Sequence, residues 1–165
     1  MGLRWALVIT SDRVKADPSL DQITPIVEKL LSEKGHVLAK RLLVGNDAAE
    51  ILWALAEALR SADIVLATGG TGPNPRDITV DIAKRICDRE LPGIGEEFRR
   101  RSIERGVVNA MLSRATGCGF AGRLIAVSPG NPDAAETMTR LLLEIGEHAV
   151  EQLRGKKHQH HGHRH

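Results

Sequence analysis

Two hydrophobic rhythms alternate along the chain. Trp5-Ala-Leu-Val-Ile-Thr-Ser11 is an almost unbroken apolar run ending in polar residues, the pattern of a strand buried on both faces. A polar connection follows, Asp12 to Asp21, with Pro18 inside it. Thr24-Pro25 then reads as an N-cap with proline at the first helical position. Ile23, Ile26, Val27, Leu30 and Leu31 recur at helical spacing, and Gly35 is a natural stop. Val37 to Val44 predicts a second strand. Ala48, Ile51, Leu52, Leu55 and Leu59 form a second helical stripe, capped by Asn46 or Asp47, with Trp53 lying off it. Trp53 suits either an oligomer contact or partial cover by neighbouring loops. Ile64 to Thr68 predicts a third short strand that runs straight into Gly69-Gly70-Thr71-Gly72.

The first half therefore reads β-α-β-α-β, which predicts a parallel sheet with right-handed crossovers and helices on both faces. The second half is less regular. Thr79 to Asp88 and Ile94 to Arg105 predict helices separated by Leu91-Pro92-Gly93. Arg114 to Phe120 and Leu124 to Val127 read as a hairpin or a pair of strands. Ser128-Pro-Gly-Asn-Pro132 breaks the chain, and Met138, Leu141, Leu142, Ile145, Ala149 and Leu153 line a last helix. The expected fold is a three-layer α/β/α domain over residues 1–154, its sheet mostly parallel with a small antiparallel element in the second half. Residues 155–165 form a His-rich tail with no core pattern of its own.

Composition sharpens this by exclusion. At 165 residues, the chain suits one domain that buries roughly two-thirds of its unfolded surface. Aromatics are 2% of it, two Trp and two Phe with no Tyr, so a binder that stacks single-stranded nucleic acid on aromatic platforms is not expected. A net charge of +2 predicts no polyanion partner, and the excess leans on Lys156, Lys157 and Arg164 in the tail. No apolar run reaches the ~18–20 residues of a membrane span, and Met1 to Thr10 shows no signal-peptide pattern. Cys87 and Cys118 match no zinc spacing; two reduced thiols in a cytoplasmic protein are expected, with a disulfide as the alternative.

Candidate chemistry gathers where strands end. Thr68-Gly-Gly-Thr-Gly-Pro-Asn-Pro-Arg-Asp77 follows a central strand and precedes a helix, the place where open α/β sheets bind ligands. Gly69, Gly70 and Gly72 let backbone N–H groups approach an anion, and Thr71 adds a hydroxyl. Arg76 suits a forked phosphate contact, and Asp77 suits Mg²⁺ beside phosphates. The bland alternative is a turn that merely reverses the chain. No Gly-Lys-Ser/Thr follows, and the first strand ends in Thr10-Ser-Asp-Arg13, so neither the Walker nor the dinucleotide fingerprint is present. Ser11 and Asp12 would share the same edge of the sheet, as would Pro129, Gly130 and Asn131; a solvated loop and a tight turn are their plainer readings. His36 and His148, the only histidines outside the tail, are expected on the surface, so no Ser-His-Asp triad is in view. In the tail, His158, His160, His161, His163 and His165 are spaced for adaptable binding of Zn²⁺, Ni²⁺ or Cu²⁺, or serve no specific role.

Thr68-Gly-Gly-Thr-Gly-Pro with Arg76-Asp77-Ile-Thr resembles the signature of the molybdenum cofactor biosynthesis family, MogA/MoaB. Thr10-Ser-Asp-Arg13, Asp88-Arg-Glu-Leu-Pro-Gly-Ile-Gly-Glu96, Leu112-Ser-Arg114 and Pro129-Gly-Asn-Pro132 resemble its flanking elements, in order, from about Trp5 to Leu153. The resemblance implies a trimer, or a hexamer of two trimers. It also implies molybdopterin adenylyltransfer: with Mg²⁺ present, the terminal phosphate of molybdopterin attacks the α-phosphate of ATP, and pyrophosphate leaves. A later molybdate-insertion protein would receive the product.

Under that resemblance Asp77 is the catalytic and metal-holding acid. Ser11, Asp12, the Gly69–Gly72 loop, Arg76, Ser113, Arg114 and Pro129–Asn131 would line the pterin and nucleotide pocket. The family's second functional acid sits in a Val-Pro-Asp-Glu-like segment, where this chain has Val44-Gly-Asn-Asp47. Asn46 takes the acid position in the ungapped register, which leaves Asp47 as the substitute. Ile23 also stands where the family carries a glycine. Two alternatives are a non-catalytic molybdopterin-binding module and a nucleotide-processing relative of the same fold, such as a competence-damage protein.

Overall fold

Alternation along the first strand sets up the architecture. In the computed structural model, which describes residues 2–156, β1 (Arg4–Thr10) is the second strand of a six-stranded sheet. Trp5, Leu7 and Ile9 enter one core, while Ala6 and Val8 enter another on the opposite face. The first core is covered by α2 (Thr24–Glu33), α5 (Pro92–Glu104) and α6 (Pro132–Leu153). The second is covered by α3 (Ala48–Ser61) and α4 (Thr79–Ile86). This is the expected three-layer α/β/α arrangement. Among the described residues no helix is long and apolar enough to cross a membrane.

The remaining strands are β2 (Val37–Val44), β3 (Ile64–Thr68), β4 (Arg89–Leu91), β5 (Thr116–Phe120) and β6 (Arg123–Ser128), and the sheet order is β2-β1-β3-β6-β5-β4. β2, β1, β3 and β6 run parallel; β5 runs antiparallel to β6 and to β4. The chain leaves β1 toward β2 and then crosses back to β3. The β1/β3 boundary is therefore the switch point at which crossovers part and a crevice opens. β5 runs the other way, so its first residues lie at the same edge as the last residues of β1, β3 and β6.

Several local expectations change. The connection after β1 holds a short helix, α1 (Asp12–Ala16), because the Ser11 hydroxyl accepts from the Val14 N–H and caps it. Thr24 does not cap α2; the Asp21 carboxylate accepts from the N–H groups of Ile23 and Thr24 and from the Thr24 hydroxyl. Burial alone would raise the Asp21 carboxyl, but these bonds and Arg41 outweigh it and hold it below the ordinary carboxylate range. His36 is not a surface residue: its Nδ1 accepts from the Leu3 N–H at 2.9 Å and its ring is buried near Trp5. His148 is exposed, as expected. Trp53 is 55% exposed.

Nor are the cysteines reduced. Cys87, at the C-terminal end of α4, is disulfide-bonded to Cys118 on β5. α4 packs across β5 and β6, so its last turn lands beside an inward-facing β5 residue. A separation of 31 residues carried no sign of that proximity. The histidines of the tail, beginning at His158, lie outside the described residues.

Candidate functional site

Five connections meet at the carboxyl edge of the parallel strands, and hydrogen bonds knit them together. The Ser11 N–H donates to the Val44 carbonyl at 2.9 Å, the Gly69 N–H to that of Ser128 at 2.9 Å, and the Arg114 N–H to that of Thr71 at 2.7 Å. The segments after β1, β2, β3 and β6 and the one entering β5 thus form one rim. A cavity of about 180 Å³ opens into it between α5 and the Pro129–Asn131 turn, lined in part by Ser113, Pro129 and Asn131. A larger groove, about 790 Å³, lies away from this rim between the β4–α5 junction and the C-terminal half of α6. It is chiefly apolar, whereas backbone amides, hydroxyls and carboxylates converge at the rim.

The glycine loop is shaped by contacts that exclude side chains. Gly69 has φ +94°, and a Cβ there would stand 2.3 Å from the Thr10 carbonyl oxygen. Gly70 has φ +71°, and its Cβ would stand 2.3 Å from the Thr79 hydroxyl. Both positions are closed to ordinary L-residues by conformation and by space. The N–H groups of Gly70, Thr71 and Gly72 donate to no acceptor among the described residues, the condition for an anion-binding nest. Beneath them the buried hydroxyls of Thr10, Thr68 and Thr79 also have no partner among the described residues. Each orphaned group costs about 1–3 kcal/mol; their concentration at one edge marks a place built for something other than stability.

Asp77 is half-buried beside this loop, its Oδ2 2.6 Å from where a Gly72 Cβ would be. Its carboxylate accepts no hydrogen bond from the described residues, so its lone pairs remain available. Arg76 is exposed, its guanidinium 4.0 Å from Asp12 Oδ2. Ser113 faces inward, with its Oγ 3.4 Å from Thr71 Oγ1. Gly130 packs against Gly69, where a Cβ would meet the Gly69 Cα at 3.1 Å. Asn131 caps α6, accepting from the Ala134 N–H at 2.9 Å.

Arg114 has a different place from the one expected. Its guanidinium forks onto Asp81 at 2.7 and 3.0 Å and donates to the carbonyls of Gly72 (3.1 Å) and Asp77 (2.7 Å). It braces the loop from behind and has little capacity left for a ligand. The same fork holds the Asp81 carboxyl below its ordinary pKa and raises that of Arg114. Asp81 is the site residue that sequence reasoning missed. The available signal was its position one helical turn after Asp77, at the start of α4.

At the β2 end the two candidate acids separate. Asp47 caps α3, accepting from the Glu50 N–H at 3.0 Å, and is exposed. Asn46 turns inward: its Nδ2 donates to the Arg76 carbonyl at 2.5 Å, and its Oδ1 is buried without a partner among the described residues. The residues fit Mg²⁺ in a limited way. No three His, Cys, Asp or Glu side chains among the described residues form a metal cluster. Mg²⁺, however, characteristically takes one or two carboxylates and completes its shell with phosphate and water, and Asp77 and the orphaned Asn46 carbonyl are oxygen donors of that kind.

A switch-point crevice with unpaired loop amides beside an open carboxylate is an arrangement of α/β domains that suits an anion. The family described as "Probable molybdopterin binding domain" matches residues 6–151. The chain belongs to this MogA/MoaB family of molybdenum cofactor biosynthesis. It is 37% identical over 140 residues to the molybdopterin adenylyltransferase of Pyrococcus furiosus, covering 81% of each chain. It is also 36% identical over 132 residues to molybdenum cofactor biosynthesis protein B of Bacillus cereus, covering 76% of this chain and 78% of the relative. Among solved structures, a tungsten cofactor synthesizing protein MoaB from Pyrococcus furiosus superimposes with a TM-score of 0.84 at 31% identity, covering 93% of this chain and 98% of the other. CinA from Thermoplasma acidophilum, at 19% identity and TM-score 0.63 over 90% of this chain and 98% of its own, shares the fold alone.

Proposed function

We propose that this protein is a molybdopterin adenylyltransferase, using ATP and Mg²⁺. A terminal phosphate oxygen of molybdopterin attacks the α-phosphorus of ATP. The bond from that phosphorus to the bridging oxygen breaks, and pyrophosphate leaves with the electron pair. Such transfer requires positioned anions and neutralised charge more than a covalent nucleophile. Mg²⁺, when bound, neutralises phosphate charge at Asp77. The amides of Gly70–Gly72 hold phosphate oxygens, Thr71 and Ser113 add hydroxyl donors, and Arg76 reaches in from the exposed side. Arg114 keeps the loop in shape by its grip on Asp81, Gly72 and Asp77. The pterin enters the cavity beside Ser113, Pro129, Gly130 and Asn131. The working assembly is a homotrimer or homohexamer, and the product passes to a molybdate-insertion protein.

The carrying observation is the row of unpaired amides beside the open Asp77 carboxylate. The test combines purified protein, ATP, Mg²⁺ and molybdopterin and looks for adenylylated molybdopterin and pyrophosphate. Wild type forms both, and Asp77→Ala forms neither. Lack of product with wild type, where a known adenylyltransferase succeeds, refutes the reading. One observation favours a second reading, a molybdopterin-binding module without catalysis: the inward-facing residue of the β2 loop is the uncharged Asn46. That reading expects molybdopterin to bind and no pyrophosphate to form.

A further inference from the structure

A divalent cation beside phosphates is commonly held by one or two carboxylates, and the proposed site offers one in Asp77. The β2 loop supplies no second, because Asp47 is committed to the first turn of α3. The structure brings another carboxylate to the same loop from the end of β1. Asp12 Oδ1 accepts from the Asn46 N–H at 2.9 Å and lies 2.8 Å from where a Gly45 Cβ would be. The absence of a side chain at Gly45 lets it come that close. Asp12 Oδ2 is 4.0 Å from Arg76, the neighbour of Asp77, in a loose exposed pair; such pairs are worth about 0–1 kcal/mol and separate readily. Asn46, between the two segments, touches both: its N–H holds Asp12 and its amide holds the Arg76 carbonyl. Its buried Oδ1 has no partner among the described residues.

We propose that Asp12, not Asp47, is the second carboxylate presented to the cation, with Asn46 as the neutral oxygen donor between Asp12 and the Arg76–Asp77 segment. The charge missing from the β2 loop is thereby supplied by the β1 loop. This rests on the Mg²⁺-dependent reading of the site given above.

The test measures Mn²⁺ binding from the free-ion electron paramagnetic resonance signal, without ATP or turnover, alongside the transfer assay. Asp12→Asn removes the charge yet keeps an acceptor for the Asn46 N–H, so the loop retains its hydrogen bond. It should weaken Mn²⁺ at least about tenfold, since even indirect partners of a metal ligand are worth 10–100-fold. Asp47→Asn, which preserves the cap, should bind as wild type does. Adding Asn46→Asp to Asp12→Asn should restore affinity, as a purely structural role for Asp12 would not allow. Wild-type affinity in Asp12→Asn, a loss in Asp47→Asn, or a loss that Asn46→Asp fails to restore would each overturn the assignment. If Asp77→Asn weakens Mn²⁺ while Asp12→Asn does not, Asp12 is excluded and the reading of Asp77 stands. If wild type binds no Mn²⁺, the assignment of Asp12 falls, whereas the transfer reaction is judged separately by its product.

Discussion

The loop after β3 and the loops after β1 and β2 border the same crevice but are built by different means. After β3 the decisive groups are backbone amides, and glycines at φ +94° and +71° expose them because a side chain would collide with Thr10 or Thr79. After β1 and β2 the decisive groups are side chains, some spent on local helix caps and some meeting distant partners. Ser11 caps α1, Asp47 caps α3, and Asp12 and Asn46 reach across 34 residues to each other. A site of the first kind leaves its mark in local composition. A site of the second kind is settled only when the chain has folded.

Three perturbations sharpen this contrast, from the largest expected effect to the smallest. The frame behind the β3 loop is fixed at both ends of α4, by Arg114–Asp81 at the start and Cys87–Cys118 at the finish. A cross-link closing about 31 residues contributes roughly 3–4 kcal/mol in the chain-entropy account. Reduction or Cys118→Ser should therefore lower denaturant stability by about that much; an unchanged midpoint would remove the disulfide from the frame. Gly70→Ala should cost about 2–4 kcal/mol, combining a left-handed alanine with a collision at Thr79. Its urea midpoint should fall accordingly, and retention of wild-type stability would show that the loop is not held by exclusion. Asp47→Ala should cost about 1 kcal/mol as a lost helix cap, while Mn²⁺ affinity is unchanged. A large loss of affinity with little loss of stability would put Asp47 back in the site.

The same contrast explains what could be read beforehand. β1 and β3 were visible as apolar runs, because strands covered on both faces need no polar alternation; the edge strand β2 was also expected, although Lys40 and Arg41 interrupt its apolar residues. The hairpin of β5 and β6 was expected as well. β4 was missed: Arg89-Glu90-Leu91 is short and polar and exists because β5 offers it an edge. The glycine loop and Asp77 were legible in sequence. The clamp of Arg114 on Asp81 was not, since it spans 33 residues and neither residue type announces its partner. His36 looked like a surface residue for the same reason: its burial follows from the Leu3 N–H that it accepts. The disulfide depends on helix-to-strand packing, to which cysteine spacing was blind.

The central claim is that phosphate-bearing ligands bind at the glycine loop on the carboxyl edge, not in the larger apolar groove beside α6. Titration of ¹⁵N-labelled protein with AMP tests this most directly, because each backbone amide reports separately. The largest shifts should fall on Gly70, Thr71, Gly72 and Asp77, with the amides of Gly93, Ile145 and Leu153 unchanged. Shifts concentrated at Gly93, Ile94 and Leu141–Leu153, with a silent glycine loop, would contradict the account.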